Sequence, residues 1–168
     1  MGSGKSTVGA WLAEKLGWDF IDLDTEIVQR EGRSIAETFR QLGELRFRQI
    51  ESEVLRHVLQ AADGPRVIAL GGGTFIQSGN REVLRAHGAQ TIYLEADFEL
   101  LLSRCCTEEG TRPLMQDPLR FRRLFDERLP IYRSASAVVQ VAGKTPQEIA
   151  SEIAALREQL TARPAVPE

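Results

Sequence analysis

A chain of 168 residues with 42% apolar content is long enough to bury one substantial core and short for two ordinary domains. Its formal net charge of −3, spread over 27% charged residues, offers neither a basic face nor an acidic tail, which excludes nucleic-acid binding through bulk charge. The two cysteines, Cys105 and Cys106, are sequence neighbours that point apart in regular structure and rarely bridge, no apolar run approaches the ~18 residues of a membrane span, and the first residues do not form a secretory leader; the expectation is a cytoplasmic protein with no membrane partner.

The first seven residues, Met1-Gly2-Ser3-Gly4-Lys5-Ser6-Thr7, end in the closing half of G-x-x-x-x-G-K-[ST], a loop whose backbone amides turn inward around phosphate oxygens. Glycine adopts the required dihedrals cheaply, Lys5 would reach the β- and γ-phosphates, Ser6 would offer its hydroxyl to Mg²⁺, and the following helix would aim its positive end at the anion. The opening glycine of that pattern, and the apolar strand that delivers such a loop, would both lie ahead of Met1. The expectation is that Met1 is internal to the loop, preceded by a segment rich in Ile, Val and Leu that ends in glycine.

Val8, Leu12 and Leu16 recur every four positions and Gly17 suits a left-handed C-terminus, which predicts a helix from Ser6 to Leu16. A strand over Trp18–Asp22 follows, then a helix from Asp24 to Arg30 closed by Gly32. Ser34-Ile35-Ala36-Glu37 is a capping box that opens a helix through Leu42, and another helix runs from about Gly43 to Ala61 with Phe47, Ile50, Val54 and Val58 as its buried stripe. Val67-Ile68-Ala69-Leu70, ending in Gly71-Gly72-Gly73, is a continuous apolar run of the kind buried on both faces of a parallel sheet. Beyond it the pattern predicts a helix over Asn80–Ala86, a strand over Gln90–Leu94 and a helix from Asp97 to about Cys105. The polar loop Thr107–Asp117 precedes a helix over Pro118–Tyr132, a strand over Ala137–Val141 and a last helix opened by the capping box Thr145-Pro146-Gln147-Glu148. The tail over 162–168 has too little apolar surface to fold and is expected to be flexible. Strands alternating with helices imply an α/β fold, with a parallel sheet covered by helices on both faces in three layers. The expectation is one domain over residues 1–161, with four strands in this sequence and a fifth upstream of Met1.

Several side chains in this frame carry chemistry. Asp22 and Asp24 straddle a strand end, where they either form a turn or overlook the ligand crevice at the carboxyl edge of the sheet. Arg48 lies one helical turn from both Glu44 and Glu51: the arrangement is either a surface ion pair or a guanidinium held so that its fork takes a small carboxylate bidentately. Three consecutive glycines cost backbone entropy, so Gly71-Gly72-Gly73 marks close approach of main chain to a ligand. Arg112 in the polar loop is either a solvent-facing charge or a cation that closes over a transferring phosphoryl group, and Arg128 follows that loop.

Taken in order, Gly-Ser-Gly-Lys-Ser-Thr, Asp22-Leu23-Asp24, Gly43-Glu44 with Phe47-Arg48 and Glu51, Gly71–Gly73, Arg112-Pro113-Leu114, and Arg128 with Pro130 and Tyr132 resemble the shikimate kinase family over roughly Met1 to Leu160. The resemblance implies a P-loop fold of the nucleoside monophosphate kinase type with a lid loop. It also implies Mg²⁺-dependent transfer of the ATP γ-phosphoryl group to the 3-hydroxyl of shikimate, a step of chorismate and aromatic amino acid synthesis. It places ATP against Gly2, Ser3, Gly4, Lys5, Ser6, Thr7, Arg112, Lys144 and either Arg104 or its neighbour Cys105. Shikimate is placed against Asp24, Arg48, Gly71, Gly72, Gly73 and Arg128, and Mg²⁺ at Ser6 and, through water, at Asp22. Lys5, Asp24 and Arg112 would carry catalysis, with Asp24 either orienting or deprotonating the acceptor hydroxyl. The family often has arginine where Lys144 stands, which implies a weaker grip on adenine. Two other readings are a gluconate-type P-loop kinase, which leaves the arginines and the glycine triplet unexplained, and a non-catalytic binding protein derived from a kinase. No long apolar stripe is left over for a partner, so a monomer is expected.

Overall fold

The computed structural model describes residues 2–61, 63–107 and 118–161. Along the chain these form α1 (Lys5–Leu16), β1 (Asp19–Asp22), α2 (Leu23–Glu31), α3 (Ile35–Gln60), β2 (Arg66–Ala69), α4 (Ser78–Ala86), β3 (Ile92–Glu95), α5 (Phe98–Thr107), α6 (Pro118–Tyr132), β4 (Ala137–Gln140) and α7 (Pro146–Thr161). Both anticipated capping boxes form: the Ser34 hydroxyl accepts from the Glu37 amide while the Glu37 carboxylate takes the Ser34 amide, and Thr145 and Glu148 repeat the exchange. The hydrogen bonds to these carboxylates hold both below their ordinary pKa.

The two helices expected on either side of Gly43 form and meet there at a sharp kink within α3, where the φ of 77° and ψ of 169° of Gly43 leave helical geometry and suit only glycine. Across the bend the rings of Phe39 and Phe47 meet at 4.7 Å. The bend therefore brings the first half of α3 against the segment that carries Arg48. At Gly9 a Cβ would lie 2.6 Å from the Phe20 ring, so the missing side chain is what lets α1 lie close on β1.

The strands are parallel, as expected, but among the described residues they form two pairs rather than one continuous sheet. β1 pairs with β2 from Asp19↔Arg66 to Asp22↔Ala69, and β3 pairs with β4 from Ile92↔Ala137 to Glu95↔Gln140. The edges of β2 and β3 that turn toward each other are not bonded. Between them runs a cavity of about 650 Å³ lined by Val8, Leu12, Val67, Ile68, Ile92 and Leu94. Each pair has its own apolar core: Leu23, Ile27, Phe47, Ile50, Val54 and Leu55 on the first, and Leu94, Val139, Val141, Ile149 and Ile153 with Val8 and Leu12 of α1 on the second. The lid loop with Arg112, and the tail over 162–168, fall outside the described residues. No described helix is long and apolar enough to cross a membrane.

Candidate active site

The loop that opens the chain is built from conformations that only glycine takes readily. Gly2 and Gly4 sit at φ 70° and 82°, and Gly4 is the N-cap of α1. The first turn of α1 carries no acid, so its unpaired amides and the positive end of its dipole are left for an anion. From α5 the Arg104 guanidinium donates to the Gly2 carbonyl at 3.3 Å, which places it on the loop itself. Lys144, in the turn between β4 and α7, pairs with Glu152 at 2.6 Å.

Beside the loop, the Ser6 hydroxyl donates to Asp22 Oδ2 at 2.5 Å. The other oxygen of Asp22 accepts the Asp24 amide at 3.0 Å, so one carboxylate at the end of β1 caps α2 and holds the phosphate-loop serine. Asp24 stands in the first turn of α2 and is exposed. Its Oδ1 lies 2.9 Å from where a Cβ on Gly71 would be, and Glu51 Oε1 and Thr74 Oγ1 lie 3.0 and 3.2 Å from the same point. Any side chain at 71 would displace the acid that faces the cleft.

Arg48 occupies the next position along the turn. Its Nη1 donates to Glu51 Oε2 at 2.9 Å and its Nη2 to Glu44 at 3.4 Å, while the guanidinium lies over the Phe39 and Phe47 rings at 5.7 and 5.2 Å. A Cβ on Gly73 would stand 2.0 Å from Arg48 Nη1. From α6, Arg128 Nη1 lies 4.0 Å from the Cβ position of Gly72, and the Tyr132 hydroxyl donates to the Gly72 carbonyl. Asp24, Arg128 and Arg48 thus lie against Gly71, Gly72 and Gly73 in turn. Lys5 and Ser3 line the active-site end of the cavity between the strand pairs, together with Gly71, Gly72, Arg128 and Tyr132. Arg48 makes the expected ion pairs with both Glu44 and Glu51, the second of them to a buried carboxylate.

Among the described residues the structure brings Asp22 to Ser6, Arg104 to Gly2, and Asp24, Arg128 and Arg48 to Gly71, Gly72 and Gly73, with Ser3 and Lys5 on one cavity with Gly71, Gly72 and Arg128, while Lys144 lies in the turn after β4 with Glu152 as its partner. Sequence reasoning overlooked Thr74 and underrated Glu51. Glu51 is 1% exposed, and the signal was present in its position, adjacent to Ile50 and four residues after Phe47 on the apolar stripe of α3.

Two expected results arise here. Gly73→Ala forces Arg48 from its place, so the Michaelis constant for a carboxylate-bearing acceptor should rise about tenfold or more while that for the nucleotide holds, which steady-state kinetics with each substrate varied will read. Burial pushes the Tyr93 phenol up to about 12, and burial likewise raises Tyr132 despite the nearby Arg128 and Arg48. A raised phenol favours the neutral folded form, so this stabilisation is complete below an ordinary phenol pKa of about 10 and is lost as pH climbs toward 12. These are both tyrosines of the chain, so phenolate absorbance should stay low through pH ~10 in the folded protein and appear there on denaturation.

A glycine loop at a helix N-terminus, a serine and an aspartate beside it at a strand end, and an arginine pair across the cleft define a P-loop kinase acting on a small molecule. The family model for shikimate kinase matches residues 1–157. A shikimate kinase of Gloeobacter violaceus is 44% identical over 87% of this chain and 82% of its own length, and one of Paracidovorax citrulli is 43% identical over 99% and 92%. The solved structure of shikimate kinase from Acinetobacter baumannii in complex with shikimate superposes with a TM-score of 0.85 at 33% identity, covering 97% of this chain and 91% of that one. That of Aquifex aeolicus gives 0.83 at 35%, covering 96% and 94%. The chain belongs to the shikimate kinase family, and is an ATP-dependent kinase of the P-loop NMP-kinase fold.

Proposed function

We propose that this chain transfers the γ-phosphoryl group of ATP to the 3-hydroxyl of shikimate, giving shikimate 3-phosphate for chorismate and aromatic amino acid synthesis. The observation that carries the reading is the convergence of Asp24, Arg128 and Arg48 on the successive glycines Gly71, Gly72 and Gly73. Two guanidinium groups suit one carboxylate, and an acid beside them suits ring hydroxyls. Lys5 and the α1 amides hold the triphosphate and oppose the charge that develops during transfer, and Arg112 adds a cation from the lid. Asp24 fixes the direction of the acceptor hydroxyl and takes its proton as the new bond forms. Arg104 and Lys144 flank the nucleotide base.

Ser6 and Asp22 present hard oxygen donors 2.5 Å apart beside the loop, a set that fits Mg²⁺ completed by phosphate and water. When bound, that ion would supply positive charge that offsets the charge of the phosphates. The protein works as a cytoplasmic monomer. A coupled assay with ATP, magnesium and a panel of shikimate, gluconate and nucleoside monophosphates tests the reading: turnover with shikimate alone is expected, and turnover with gluconate in its place would overturn it.

The domain over residues 1–161 takes one more strand. The cavity between β2 and β3 has a ladder edge on each side, apolar side chains above and below, and Ser3 and Lys5 at its active-site end. An extended apolar segment parallel to both edges, joined to Gly2 at its carboxyl end, turns the two pairs into one five-stranded sheet.

A further inference from the structure

Thr74 is fully buried, and its side chain ties the glycine turn to the helix that carries Arg48. The Thr74 hydroxyl donates to Glu51 Oε1 at 2.5 Å. Glu51 Oε2 accepts from Arg48 at 2.9 Å and from Gln77 Nε2 at 3.2 Å. The Thr74 main chain is held as firmly: its amide donates to the Gly71 carbonyl at 3.1 Å, and its carbonyl accepts from Asn80 Nδ2, itself 1% exposed, at 3.0 Å. Arg81 braces the following carbonyls of Phe75 and Ile76 at 2.8 and 2.7 Å. A buried hydroxyl on so braced a segment has one direction in which to donate.

Glu51 Oε1, the oxygen that Thr74 occupies, is also the one that shares the Gly71 position with Asp24 Oδ1. Both oxygens are turned toward Gly71, and the Thr74 hydroxyl holds Glu51 Oε1 there while Glu51 Oε2 is left to aim Arg48.

On the reading proposed above, we infer that Thr74 is a positioning residue for the acceptor carboxylate, acting through Glu51 to set the direction of the Arg48 fork. Bidentate capture of a carboxylate depends on that direction, because both N–H vectors must meet both oxygens together. Losing the hydroxyl frees the Glu51 carboxylate to rotate, and Arg48 follows it.

The test is Thr74→Val, which keeps the branched shape and removes the hydroxyl, with Thr74→Ser restoring it. A hydrogen bond to a charged group corresponds to about tenfold to a hundredfold in an equilibrium constant, and partial transmission through Glu51 places the expected rise in the shikimate KM at about tenfold. The ATP KM should hold and kcat should change less than about threefold, since neither the phosphate loop nor the reacting atoms are touched. Thr74→Ser should return the KM to within about twofold of the parent. An acceptor whose carboxylate is replaced by a primary alcohol should lose the penalty, because coupling between the two changes isolates the carboxylate contact. Thr74→Ala carries the same comparison if the valine variant is recovered unfolded. An unchanged shikimate KM in a folded variant overturns the inference, as does a penalty equal for both acceptors or one shared by the ATP KM. A parent protein that turns over ATP with a different acceptor overturns the functional reading itself, and the parent measurement separates that outcome from the others.

Discussion

Asp24→Asn should cost about 10²–10⁴-fold in kcat with shikimate while leaving nucleotide affinity nearly intact. Asp24 is held by the cap that Asp22 makes on its amide, and by the absence of a side chain at Gly71, so an asparagine fits the same space. What changes is the charge and the lone pair directed at the acceptor hydroxyl. Lys5→Met is the companion: a cation beside the transferring group is removed, and a loss of about 10²–10³-fold is expected, in line with the removal of one preorganised electrostatic contact. The two differ in signature, since Lys5→Met should also raise the nucleotide KM. Single-turnover kinetics with ATP and shikimate check both, and a fully active Asp24→Asn protein would remove Asp24 from the site.

The second large effect concerns stability. Joining an apolar strand of about five residues to the amino side of Gly2 should raise the thermal midpoint of the 168-residue chain by roughly 10–20 °C. Each apolar side chain buried in such a slot contributes about 1.5–3 kcal/mol, against about 1–2 kcal/mol for ordering its backbone, and the paired ladder satisfies amides and carbonyls on β2 and β3. Calorimetry on the two chains reads the shift, and amide exchange should slow at residues 66–69 and 92–95, the strands that flank the slot. The alternating-charge version of the same extension is the control. Equal midpoints for apolar and charged extensions would show that the cavity does not accept a strand.

Much of the fold was legible in the sequence because its signals are local. Capping at Ser34–Glu37 and Thr145–Glu148 depends on residues three apart, and both boxes form where the pattern put them. The stripe Phe47, Ile50, Val54 and Val58 repeats at helical spacing and is buried throughout. The Gly-Lys-Ser motif places Gly4 at an N-cap because its left-handed dihedral is a property of glycine itself. The boundary read at Gly43 is where the structure divides the two helical stretches, because its dihedrals lie outside the helical range and are open to glycine.

The pairing of strands was not legible. Four apolar runs allow several sheet orders, and which edges stay unpaired depends on contacts between segments far apart in the chain. The same holds for the buried contact between Thr74 and Glu51, 23 residues apart.

By itself the sequence determined the elements, the phosphate-binding loop and the residue types available for chemistry, because helix periodicity, capping and glycine dihedrals are set within a few residues. Only the tertiary structure decided that Arg48 and Arg128, 80 positions apart in the chain, come to the neighbouring glycines Gly73 and Gly72, and that Asp24, Glu51 and Thr74 meet at a point no side chain at Gly71 can share. The reason is steric: such convergence follows from how α2, α3 and α6 pack at the strand ends, and packing is settled between distant surfaces rather than between neighbours in sequence.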